Sequence, residues 1–236
     1  MANHITLFQH GTLALLVPGL LKGTMKMGEL LKHGDTGIGT GEGLDGEVII
    51  LGGKAYHIHA TGDVTTVSNS FEMPFANAHF ARYVLLAEFE NVDEADLNKQ
   101  MVSLSCAVNT FFSVEIHGTF SNIRTRAAVQ SKPPYQTLAE TSKNQSVFTR
   151  DRIDGTLLGY YSPQLFEGAT VGGFHHHFIS DDHKFGGHVL GFHLIKGDVS
   201  YQLFDTFEQH LPVNDKQYME HDFSDDHIQG DIHQSE

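Results

Sequence analysis

The stretch from Gly173 to Phe192, GFHHHFISDDHKFGGHVLGF, restricts the fold of this chain more than any other. Five of its twenty residues are histidine. On a β-strand successive side chains point to opposite faces, so His175 and His177 project to one side and His176 to the other. The Asp-Asp pair and Gly186-Gly187 suit a tight reversal. The chain then returns as a neighbouring strand that begins at His188, beside His175 and His177. Three imidazoles converging from two strands make a three-nitrogen set with an open position, the arrangement that holds a catalytic zinc. His176, on the opposite face, and His183, on the loop, are bystanders in this reading. HIH at His57–His59 has the same spacing but no third histidine behind a glycine return. In a chain with 17 histidines it reads as a half-buried strand face.

Charge and composition narrow the classes of function. The 236 residues carry a formal net charge of -14. A nucleic-acid binder needs a basic stripe, and so does a protein that docks on anionic lipid, so both partners are set aside. The hydrophobic fraction of 40% is that of an ordinary globular protein. Cys106 is the one cysteine, which rules out an intrachain disulfide and a cysteine-based zinc knuckle; it is given no role. The apolar run Thr12 to Leu21 is short, is broken by Pro18, and has no Lys or Arg before it, so it lacks the pattern of a secretory signal. No segment is long enough to span a bilayer, and the expected location is the cytoplasm.

Along the chain, residues 11–32 read as helical with breaks at Pro18 and Gly19. Val48–Leu51 and Ala55–His59, joined by GGK, predict a β-hairpin. The six glycines from Gly34 to Gly46 precede neither Lys-Ser/Thr nor a helix, so they are not a phosphate loop. ARYVLLAEF predicts a strand. NVDEADLNKQMVSLSCAVNTFF predicts a helix capped at Asp93 or Asn91, with Glu94 favouring its first turn. SVEIHGTFSNIRTRAAV predicts two strands turning at Gly118, and HVLGFHLIKGDVSYQLF a hairpin turning at KGD. The acidic tail reads as frayed on composition. The order is α+β rather than alternating βαβ. The expected architecture is two β-rich halves, a mixed sheet and a barrel-like sheet, with a few packing helices. The division falls between 1–105, a helix and sheet half, and 106–236, a β-rich metal-binding half whose tail returns to the site.

Four segments together resemble the α-acetolactate decarboxylase family: GELLKHGDTGIGTGEGLDGEVIILGGKAY, GTFSNIRTRAAV, DGTLLGYYSP and the histidine stretch. They occur in family order and spacing, and the resemblance runs from Leu7 to the last residue. It implies three zinc ligands, falling on His175, His177 and His188. It implies a site carboxylate at Glu47, a threonine at Thr40, and a substrate-facing arginine at Arg126, with Arg124 two residues before it. A glutamate near the C-terminus that folds back into the site maps onto Glu236. Two departures stand out: His176 replaces an apolar residue between the first two ligands, and Gly191 stands where an acidic residue is common.

The resemblance further implies decarboxylation of 2-acetolactate to (R)-acetoin, a step of acetoin and butanediol formation, and a homodimeric enzyme. Loss of CO2 leaves a charge that a zinc on neutral histidines can stabilise as a Lewis acid, and other divalent metals suit the same three ligands. Arg126 would orient the carboxylate, and Glu47 or Glu236 would protonate the resulting enediolate. Two other classes fit the histidines alone. One is a metal oxygenase with three histidines and a carboxylate; the other is a non-enzymatic zinc-binding module.

Overall fold

The structure is a computed structural model that describes residues 5–226, 228 and 230. The strands of the first half are β1 Thr6–His10, β2 Met25–Lys26, β3 Thr36–Gly41, β4 Asp45–Leu51, β5 Lys54–Ile58, β6 Val64–Thr66, β7 Glu72–Met73, β8 Phe75–His79 and β9 Val84–Asp93. Then follow β10 Phe112–Ala128, β11 Gln145–Ser162, β12 Gly173–Ser180, β13 Gly186–Leu203 and β14 Thr206–His210. The helices are short: α1 Leu13–Leu16, α2 Met27–Leu30, α3 Glu94–Ser105, α4 Leu138–Ser142 and α5 Lys216–Glu220. Among the described residues no helix is long and apolar enough to cross a membrane.

Two sheets carry the α+β fold. The first runs β14-β1-β8-β3-β4-β5-β6 and is mixed, because β14 lies parallel to β1 while its other pairs are antiparallel. The second runs β10-β11-β12-β13-β9. In it β10 also pairs with β13, so β10 to β13 close on themselves as a small barrel. The sheets trade strands across residue 105: β9 joins the second beside β13, and β14 joins the first beside β1.

Burial follows strand parity. On β11, Leu157 belongs to the core that fills the barrel with Phe112, Ile116, Phe120 and Phe178, whereas Leu158 belongs to the core with Ile38, Ile49 and Ile58 of the first sheet. β12 divides the same way, with Phe178 in the barrel and Ile179 in the seam between the sheets. Leu97 and Met101 of α3, both fully buried, pack on the barrel core. At the seam, buried His79 of β8 shares hydrogen bonds with the Tyr160 hydroxyl (2.8 Å) and the Ser113 hydroxyl (3.3 Å), tying the first sheet to β11 and β10.

Glycine patterning explains where the sequence expectations fail. Gly118 and Gly197 were expected in turns, yet β10 and β13 run straight through them and the two glycines are register partners. A Cβ on Gly118 would collide with the Lys196 carbonyl. These glycines therefore permit close backbone approach inside a sheet, the alternative meaning of strand glycine. The TGIGTG segment, for which no element was expected, is the buried strand β3. Residues 11–32 hold only α1 and α2 rather than a long broken helix. The expected hairpin is β4–β5, turning at Gly52 and Gly53, both with positive φ. Helix α3 starts after Asp93 as expected. The start of the acidic tail is ordered by packing: Asp215 caps α5, and Tyr218 and Phe223 lie against the Leu13–Leu16 core.

Burial holds the His79 ring neutral, with its pKa pushed down to about 3. An unfolded histidine titrates near 6.5, so the unfolded state binds this proton first, and the stabilisation present above pH ~6.5 is lost as pH falls toward 3. Urea unfolding of the intact protein should show stability falling below pH ~6.5. His79→Gln should remove about one proton's share, roughly 1.4 kcal/mol per pH unit, from that slope. An unchanged slope would mean that His79 does not couple the sheets in its neutral form.

Candidate metal centre

Parity on β12 sends His175 and His177 into the seam and His176 into the barrel. His177 pairs in register with His188 of β13, so the third ring joins the first two. The ring centroids are 5.1 Å apart for His175–His177, 4.7 Å for His175–His188 and 5.6 Å for His177–His188. One ligand atom from each lies within 4.8 Å of the others. His188 Nδ1 and His175 Nε2 face each other at 2.9 Å. Nitrogens around a tetrahedral zinc are about 3.3 Å apart for bonds of ~2.0 Å, and the three rings hold their ligand atoms on that scale, within 4.8 Å of one another.

The return strand reaches this position because of its two glycines. A Cβ at Gly186 would stand 2.5 Å from the Phe178 carbonyl, and one at Gly187 2.5 Å from the Arg126 carbonyl. Gly187 also has φ +130°, which side chains rarely adopt. FGGH is thus the sequence that lets β13 wedge between β12 and β10.

The donor set fits a divalent transition metal. His177 donates its Nδ1 hydrogen to the Val48 carbonyl at 2.9 Å. A carbonyl only accepts, so the lone pair lies on Nε2, the orientation that an outer partner gives a ligating imidazole. His177 Nε2 is buried and has no hydrogen-bond partner. Burial, with nearby Arg126, pushes His175 down to about 3 and holds His188 well below the usual histidine range. Burial and His175 do the same for His177. All three are therefore neutral near pH 7, as ligands must be.

Glu47 and Arg126 stand beside the rings. Glu47 Oε2 lies 3.3 Å from His177 Nε2. Gly46 just before it has φ +59°, and a Cβ there would collide with the Ile58 carbonyl; the LDGE motif needs its glycine for that turn. Arg126 is the register partner of His188 on β10 and is buried. Its Nη1 donates to Gln145 Oε1 at 3.0 Å. Thr40 lines the same cleft but donates its hydroxyl to the Gly46 carbonyl at 2.8 Å, bracing the turn that carries Glu47. Leu13, Leu16, Leu44, Phe75 and Leu138 form the apolar wall.

Other expected residues lie elsewhere. Arg124 is exposed. His176 is buried against Phe174 and Phe192, with Nδ1 3.5 Å from Glu94 Oε1. His183, on the β12–β13 turn, stacks on Tyr56. Glu236 lies outside the described residues. Sequence reading missed Gln145 and the Val48 carbonyl. Neither carries a motif, because a backbone acceptor has no sequence identity and Gln145 is known only through its register near Arg126.

The comparisons with known proteins agree with one another. The family model described as alpha-acetolactate decarboxylase matches residues 7–225. A Lactococcus lactis subsp. cremoris protein named alpha-acetolactate decarboxylase is 37% identical over 98% of both chains. One from Methanosarcina mazei is 34% identical over 88% of this chain and 73% of its own. The crystal structure of alpha-acetolactate decarboxylase from Bacillus subtilis strain 168 superposes with TM-score 0.94 at 29% identity, covering 98% of this chain and 99% of that one. A Staphylococcus aureus structure, described as a protein of unknown function similar to alpha-acetolactate decarboxylase, gives 0.94 at 36% identity, covering 98% and 100%.

Elemental analysis of purified variants tests the ring assignment. His175→Ala should lower bound divalent metal by one equivalent per chain, whereas His176→Ala should leave it unchanged. Loss from the second variant and not the first would reverse the assigned faces of β12.

Proposed function

This chain belongs to the alpha-acetolactate decarboxylase family and is a carboxy-lyase, and from that premise we propose that its three-histidine cleft converts 2-acetolactate to (R)-acetoin with a divalent cation, zinc, on His175, His177 and His188. The observation that carries the reading is the meeting of three neutral imidazoles, one carboxylate and one buried guanidinium in a single cleft with an apolar wall. When bound, the cation supplies Lewis-acid stabilisation of the negative charge that develops on the substrate as CO2 leaves.

The protein's own groups do the rest. Arg126 takes the substrate carboxylate in a charge-assisted pair. Gln145 holds the guanidinium through Nη1, so the arginine is oriented before substrate arrives. Too strong a grip on the carboxylate would oppose its departure as CO2, so the guanidinium serves position more than affinity. The leucines and Phe75 face the substrate's methyl groups and exclude water from the reacting carbons. Breaking the bond to the carboxylate leaves its electron pair on the substrate as an enediolate. One proton must then reach that carbon from one face. Glu47, held at the cleft by the Gly46 turn, is the described carboxylate placed to deliver it from Oε2. Solvent restores the proton before the next turnover.

Acetoin and CO2 release from 2-acetolactate by the purified protein, with elemental analysis alongside, test this assignment. Arg126→Ala should lower kcat/KM by about 100-fold or more, the scale of one preorganised charge contact, while bound metal is unchanged. Turnover near the wild-type rate in that variant would remove the arginine from the reaction.

A further inference from the structure

A second group of metal-ligating side chains lies on the other face of the first sheet, and we propose that Asp45, His57 and His59 bind a divalent transition cation of the zinc class. One ligand atom from each lies within 4.8 Å of the other two. The two rings stand 4.0 Å apart, centroid to centroid. His57 is the register partner of Val48 on β4, so it shares Val48's face. Glu47, the next residue, points into the three-histidine cleft. The two sites therefore sit back to back across one strand.

The surroundings are those of a site and not of a solvated strand face. Each ring is held by an outer oxygen: His57 Nε2 bonds to the Asp45 carbonyl at 2.6 Å, and His59 Nε2 to the Thr65 hydroxyl at 2.8 Å. Such partners orient ligating imidazoles. His57 packs on Gly46, where a Cβ would stand 2.7 Å from its Nε2. It also packs against Phe71, at 5.1 Å between centroids. The Asp45 side chain is 31% exposed against 3% for His57, so the group is open on the carboxylate side. A cation can enter there, and water can complete its coordination. Two imidazoles and one carboxylate favour zinc, cobalt or nickel over calcium and magnesium, which prefer all-oxygen sets. A cation here would pin β4 to β5 at the turn that delivers Glu47. The inference stands apart from the decarboxylation reading, since it concerns metal content alone.

Equilibrium dialysis of the full-length protein against zinc, followed by elemental analysis, decides it. Wild-type chain should retain two equivalents, His175→Ala one, and His175→Ala with His59→Ala none. Thr65→Val in the His175→Ala background keeps all three ligands and should weaken the remaining zinc about tenfold, the scale for loss of an outer partner. The proposal is overturned if His175→Ala retains no zinc, or if neither His59→Ala nor Thr65→Val changes what it retains.

Discussion

Alternation along β12 governs everything the site can do. Phe174, His176 and Phe178 face the barrel core, while His175, His177 and Ile179 face the seam. A slip of one residue would bury the ligand pair among phenylalanines and send Phe178 to the first sheet. Both faces of β12 are covered, so the register is fixed by packing on two sides at once. The closing of β13 between β12 and β10 then brings His188 to the pair and Arg126 beside it. The convergence of the three rings is in this sense a by-product of barrel closure, and closure depends on Gly186 and Gly187.

Burial sets the electrostatics of the seam. Three imidazoles are held neutral by burial there; His188 Nδ1 and His175 Nε2 pair with each other, while His177 Nε2 has no hydrogen-bond partner. A buried polar atom without a partner costs about 1–3 kcal/mol. In the proposed site a dication would take one nitrogen from each ring, but beside Arg126 it would leave an excess of positive charge. An anionic substrate would offset part of that excess. On that reading the cleft favours a small carboxylate over a neutral ligand.

The sequence made the meeting of the three histidines legible because it is local: two sit on one strand, and the third follows a glycine return. The hairpin β4–β5 and helix α3 were legible for the same reason. Gly118 and Gly197 were misread as turns because glycine marks both a reversal and a close crossing. Which applies depends on a strand far away in sequence, such as the β10–β13 pairing. β3 was missed because Gly37 and Gly39 face the carbonyls of β8 and its glycines carry no hydrophobic alternation. Gln145 was invisible because its role exists only through Arg126. Glu47 and Arg126 came from the family resemblance. The structure adds that the Gly46 turn and the His188 register set them beside the histidines.

We propose that the three-imidazole centre supplies the charge stabilisation for decarboxylation. The most direct measurement is acetoin formation by chelator-stripped protein as zinc is returned in sub-stoichiometric steps, with a His175→Ala chain titrated in parallel. The account predicts negligible rate without metal, recovery that follows filling of the three-histidine site, and no recovery in the variant. A stripped protein that decarboxylates 2-acetolactate at the full rate, or a variant that zinc restores, would contradict it.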